Sequence, residues 1–149
     1  MNARKKMKHL YFSVAGDFMH PMITLHTIPL EPLHHDLQAK MVPFAGYMMP
    51  IHYIDGILQE HLHVRQHAGL FDVSHMGVIL VKGDLSTAAL ESVLPTDIIE
   101  MQPFQVKYSL LLNDQGGIMD DLLIVRLDEG FLLVVNADKK HDDLSHLKD

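Results

Sequence analysis

Two adjacent carboxylates, Asp120 and Asp121, follow a glycine turn at Gly116-Gly117 and lead into the apolar run Leu122 to Val125. Their types and spacing make them the residues best placed to do chemistry. Neighbouring side chains on a strand point to opposite faces, so one carboxylate faces solvent and the other faces whatever the sheet covers. A carboxylate against a half-buried surface is costly without a partner, which implies a ligand carrying a hydrogen-bond donor or a cation. The same two acids could instead blunt an edge strand, both of them solvated. Spacing alone leaves both readings open and leans toward the second.

The twelve histidines are the other candidates. His63 and His67, four apart on an expected helix, share a face and could clip a metal, whereas His61 and His63, two apart, diverge. No acidic third ligand stands at zinc-site spacing and no His-Glu-x-x-His occurs, so metal binding here is expected to be adventitious and no functional metal is expected. The absence of cysteine excludes disulfides, thiolate metal sites and cysteine nucleophiles, and fits a reducing compartment.

The 149 residues make one domain's worth of chain, and 48% hydrophobic with 21% charged residues is enough to bury a core. A formal net charge of −7 argues against nucleic acid as a partner, because phosphate neutralisation needs clustered Lys and Arg. No apolar run is long enough to span a bilayer. Residues 1–21 differ from the rest: Arg4, Lys5, Lys6 and Lys8 all precede the first acid, Asp17. The segment reads as a disordered or mis-started extension, with Met22 the favoured internal start and a transit peptide the alternative. The domain proper is expected over residues 22–149.

The elements that must position the acids follow from periodicity. A short helix is expected from Leu33 to Lys40 after Pro32. Residues Pro43 to Pro50 are expected to form an ordered loop with aromatics. Ile54, Ile57, Leu58 and Leu62 recur at helical spacing, with Asp55 at the helix start and Gly69 as its stop. Met76 to Val81 reads as a strand, and Asp84 is expected to cap a helix from Leu85 to Leu94. Val106 to Leu112 alternates as a strand, Asn113 to Gly117 is a hairpin turn, and Ile118 to Arg126 returns. Phe131 to Asn136 is a third strand after the Asp128-Glu129-Gly130 turn, and Ala137 to Leu147 closes the chain as a helix with a thin apolar stripe. The pattern is an α+β domain, an antiparallel sheet with flanking helices.

Several runs together carry a family resemblance. They are Pro32-Leu33-His34, the stretch Ala39 to Tyr47 with Met49-Pro50, Glu60-His61 with Val64-Arg65, and Ala68 to Met76, which contains Phe71-Asp72-Val73-Ser74-His75-Met76. Tyr108-Ser109, Gly116-Gly117, Asp120-Asp121 and Val134 to Ala137 complete the set. Over about residues 28 to 148 the chain resembles the aminomethyltransferases, the T-proteins of the glycine cleavage system. The resemblance implies the amino-terminal part of the folate-binding aminomethyltransferase fold. It implies glycine catabolism, with an aminomethyl-lipoyl carbon transferred from the lipoylated H-protein to tetrahydrofolate and ammonia released. It places the key carboxylate at Asp121, which would hydrogen-bond a folate nitrogen, and places Tyr108 and Asn136 near the folate. Read without the family, Tyr108 is equally a core-edge tyrosine, Asn136 a helix cap and His75 a loop-ordering residue. The implied partners are the H-protein and folate, with no nucleic acid and no membrane, in the cytoplasm or, in a eukaryote, the mitochondrial matrix.

Members of that family are usually more than twice as long. The expectation is therefore an incomplete folate site and a chain that does not turn over alone, whether as a fragment, a frame-shifted product or one part of a split enzyme. The alternatives are a folate-binding module, or a non-catalytic remnant, related to dimethylglycine and sarcosine oxidising enzymes or to an iron–sulfur assembly factor.

Overall fold

The computed structural model describes residues 24–83 and 86–148. The extension at 1–21 and the expected Asp84 cap lie outside them. The described elements run α1 (Glu31–Asp36), β1 (Lys40–Phe44), β2 (Tyr47–His52), α2 (Gly56–Gln66), β3 (Gly77–Val81), α3 (Ser86–Val93), β4 (Val106–Leu112), β5 (Ile118–Arg126), β6 (Phe131–Val135) and α4 (Lys140–His146). The expected α+β class is the observed one, with antiparallel pairing in both sheets.

Three local expectations are corrected. The first helix lies earlier than Leu33–Lys40, because Gln38 takes a positive φ of 57° after Leu37 and the chain leaves as a strand at Lys40. The expected aromatic loop is a two-stranded hairpin, β1 with β2. Its turn, Ala45-Gly46, has positive φ at both residues (48° and 81°), the twist that two-residue hairpins favour. Pro43 and Pro50 are tolerated because each strand of a two-stranded ribbon has a free edge. Further on, α2 begins at Gly56, ends at Gln66 rather than Gly69, and has no side-chain cap from Asp55.

The main sheet has strand order β3-β6-β5-β4. Its covered face packs Leu111, Leu122, Ile124, Phe131, Leu133 and Val135 against Leu90 and Leu94 of the α3 region, Ile98 and Met101, with Leu147 after α4 joining the edge. Its other face carries Val78, Leu80, Val106, Tyr108 and Leu123, all exposed. The two faces separate as strand alternation requires, but both are apolar. Gly130, at φ +88°, closes the β5–β6 turn where a Cβ would sit 2.2 Å from the Val81 carbonyl oxygen. Phe131, with no exposed surface, anchors the covered face. Phe131→Ala is expected to lower stability by about 3–4 kcal/mol in urea unfolding, the range for emptying an aromatic-sized space in a core.

Candidate functional site

The two aspartates are placed by the turn in front of them. Asn113 Oδ1 accepts from the backbone N–H groups of Gln115 and Gly117, and Gly116 takes the positive φ (75°) that lets the chain reverse. The register then slips by one residue between Leu111 and Leu112, so that Leu112 faces Ile118 while Leu111 faces Asp120. The bulge takes up Met119 on the turn side of the acids, and from Asp120 onward the pairing is regular. Asp120 falls on the covered side with Leu122 and Ile124, and Asp121 falls on the open side with Leu123.

Strand order removes one of the two readings of this pair, the edge strand, and the half-buried acid, Asp120, finds a partner within the chain, the Asn136 amide. β5 lies between β4 and β6, so it is an interior strand and its acids cannot be edge-blunting charges. The open face brings together all three residues that the sequence nominates. Tyr108 on β4 sits diagonally across from Asp121, with Leu110 directly opposite Asp121 and Leu123 opposite Tyr108. Partial desolvation, then the Asp121 carboxylate beside it, raise the Tyr108 phenol above its ordinary value. Asn136 follows directly after β6. Its amide donates to Asp120 Oδ1 at 2.8 Å, to Asp121 Oδ1 at 3.1 Å and to the Asp121 carbonyl at 3.2 Å. It therefore does not cap α4 with its side chain: the helix begins after Lys139, with the Asn136 carbonyl accepting from Lys139 and Lys140.

The face can chemically do one thing well. A carboxylate pinned by an amide donor, beside a phenol and surrounded by Leu110, Leu123 and Val134, offers a hydrogen-bond acceptor at the rim of a flat apolar platform. Such an acceptor beside an apolar surface can receive a planar, partly apolar group with N–H donors at its edge.

A second buried network lies around His34. His34, 3% exposed, bonds Tyr53 Oη through Nδ1 and Asp72 Oδ2 through Nε2, both at 2.8 Å. Asp72 Oδ1 accepts from the Ser74 backbone and hydroxyl. Burial pushes the Asp72 carboxyl up, but the Ser74 and His34 hydrogen bonds outweigh it and hold the group below its usual value. The network ties α1 to the end of β2 and to the loop through Ser74. The signal for it is the pairing of the Pro-Leu-His run with Phe-Asp-Val-Ser-His, which no periodicity links. His75, largely buried, packs its ring edge-on to Phe44 (5.7 Å between centroids) and Tyr47 (6.3 Å). The His63 and His67 rings stand 5.0 Å apart at the end of α2, and the described residues contain no group of three or more metal-ligating side chains. A cleft of about 1100 Å³, lined by residues 50–53, α2 and residues 67–72, contains none of Tyr108, Asp121 and Asn136.

Comparison with known proteins gives a consistent result. The family model described as the GCVT N-terminal domain matches residues 30–149. A mitochondrial aminomethyltransferase of Dictyostelium discoideum is 38% identical over 145 residues, covering 97% of this chain and 34% of that protein. An aminomethyltransferase of Chloroherpeton thalassium is 46% identical over 121 residues, covering 80% of this chain and 33% of that protein. The crystal structure of glycine cleavage system aminomethyltransferase T from Bartonella henselae superposes with a TM-score of 0.79 at 46% identity, over 83% of this chain and 35% of that one. The chain thus spans about a third of the length of the relatives it matches.

Proposed function

Since the chain belongs to the family of the GCVT N-terminal domain, matched over residues 30–149, we propose that its open sheet face is one wall of a tetrahydrofolate site. The reaction this wall serves is transfer of an aminomethyl-lipoyl carbon from the H-protein of the glycine cleavage system, with release of ammonia. The observation that carries the reading is the convergence of Asp121, Tyr108 and Asn136 on one apolar face, with the Asn136 amide bridging both aspartates.

The roles are those the family resemblance implies, assigned to the residues of this face. Tetrahydrofolate supplies the amine nitrogen that accepts the one-carbon unit. Asp121 accepts a hydrogen bond from a ring-edge N–H and so fixes the orientation of the bound ring; its contribution is positional and electrostatic, with no covalent bond to the protein. Asn136 donates to Asp121 and removes its rotational freedom. Tyr108 and Leu123, directly opposite each other, give the ring an apolar bed beside the carboxylate. With Tyr108 61% exposed, this face stands open to water, where a hydrogen bond is weak and water competes for the transferred carbon. The chain by itself is therefore proposed to bind folate weakly and not to turn over. The compartment that goes with this reading is the cytoplasm, or the mitochondrial matrix in a eukaryote.

Titrating tetrahydrofolate into isotope-labelled chain tests the reading. Amide shifts are expected to concentrate at Tyr108, Asp121, Leu123 and Asn136. Shifts confined to the cleft beside α2, or a robust aminomethyl transfer rate from this chain alone, would overturn it.

A further inference from the structure

Three carboxylate oxygens on the covered side of β5 are buried with no donor reaching them: Oδ2 of Asp120 and both oxygens of Asp143. Asp143 lies on α4, is 1% exposed, and meets the Asp120 carboxyl. Two ionised carboxylates in contact, away from water, repel each other, whereas a single shared proton turns the same contact into a hydrogen bond. The other charged groups around Asp143 do not resolve the conflict. Asp142 on the same helix adds to it, and Lys139 before the helix opposes it only in part. Lys140 is turned to Tyr47 and the His75 carbonyl, and His146 gives Nε2 to the Leu112 carbonyl of β4. Burial first, then Asp120, push the Asp143 carboxyl up to about 7. The remaining oxygen of Asp120, Oδ1, accepts from Asn136, whose amide also reaches Asp121 on the opposite face.

We propose that Asp120 and Asp143, holding one proton between their carboxyl groups, form a positioning device for Asp121. Protonated Asp143 donates to Oδ2 of Asp120. That leaves Oδ1 of Asp120 as the acceptor that holds the Asn136 amide, and the held amide fixes the Asp121 carboxylate. Loss of the proton sets two charges against each other, loosens α4 from β5 and frees the amide. The consequence for folate rests on the function proposed above; the proton and the coupling do not.

The test follows carboxyl carbon and Asn136 side-chain amide signals of the whole chain from pH 5 to 8.5. Asp143 is expected to titrate near pH 7, with the Asn136 amide signals moving at the same midpoint. In Asp143→Asn, a donor that does not titrate replaces the acid, and the Asn136 signals should stay at their low-pH position throughout. An Asn136 amide that ignores the Asp143 midpoint, or an Asp143 ionised across the range, overturns the proposal. The wild-type titration decides this even if the variant does not fold. In a parallel arm, the tetrahydrofolate Kd of wild type should rise at least about threefold between pH 6 and pH 8, and that of Asp143→Asn should not. Coupled signals with no folate binding at any pH would refute the folate reading and uphold the pair.

Discussion

Asp121→Asn is expected to weaken tetrahydrofolate binding to this chain about tenfold, roughly the 1.4 kcal/mol that a charge-assisted hydrogen bond loses when its acceptor becomes neutral at an open surface. The variant suffers twice. It removes the charge that favours a ring N–H, and it leaves one oxygen where there were two, to be shared between the Asn136 amide and the ligand. Asp120→Asn should weaken binding less, because Asp120 faces the covered side and reaches the open face only through Asn136. Calorimetry or fluorescence titration of both variants measures the difference. Equal losses would mean that the ligand does not rest on the open face beside Asp121.

The stability of the chain should fall as pH rises, through Asp143. Its folded value of about 7 lies above the ordinary 3.8 that applies to the unfolded chain. Between those values the folded state binds a proton that the unfolded state does not, so the stabilising contribution is complete below about 3.8 and is lost progressively as pH rises through 7. Allowing for solvent screening, about 1–2 kcal/mol should disappear between pH 5 and 8. Twelve histidines complicate that window, so the informative quantity is wild type minus Asp143→Asn. The variant keeps a donor to Asp120 without titrating, and the difference in unfolding free energy should shrink or reverse in its favour as pH rises. A difference that stays constant from pH 5 to 8 would mean that Asp143 carries no proton in the folded chain.

Much of this arrangement can be read from local patterns. Alternation from Val106 to Leu112 and from Ile118 to Arg126, with a glycine turn between, specifies the hairpin. The same alternation places Asp120 and Asp121 on opposite faces. The hairpin of β1 and β2 escapes such reading because two prolines and a Pro-Phe-Ala-Gly run look like a loop until a partner strand is present. The polar contacts are harder still, since nothing in their spacing connects them: His34 meets Asp72 across 38 positions and Asn136 meets Asp120 across 16.

The amino-acid order is thus sufficient for the class of fold and the meander, which depend on short-range periodicity, and for the family, which depends on contiguous runs of residues; Asp121, Tyr108 and Asn136 are nominated only through that family resemblance. Packing of distant segments was needed to make β5 an interior strand, to collect the three nominated side chains on one apolar face, to turn Asn136 from a cap into a bridge and to bring Asp143 beneath Asp120. The physical reason is that a buried polar group takes its partner from whatever the folded chain carries past it, and that partner is chosen by strand order and helix docking rather than by its place in the sequence.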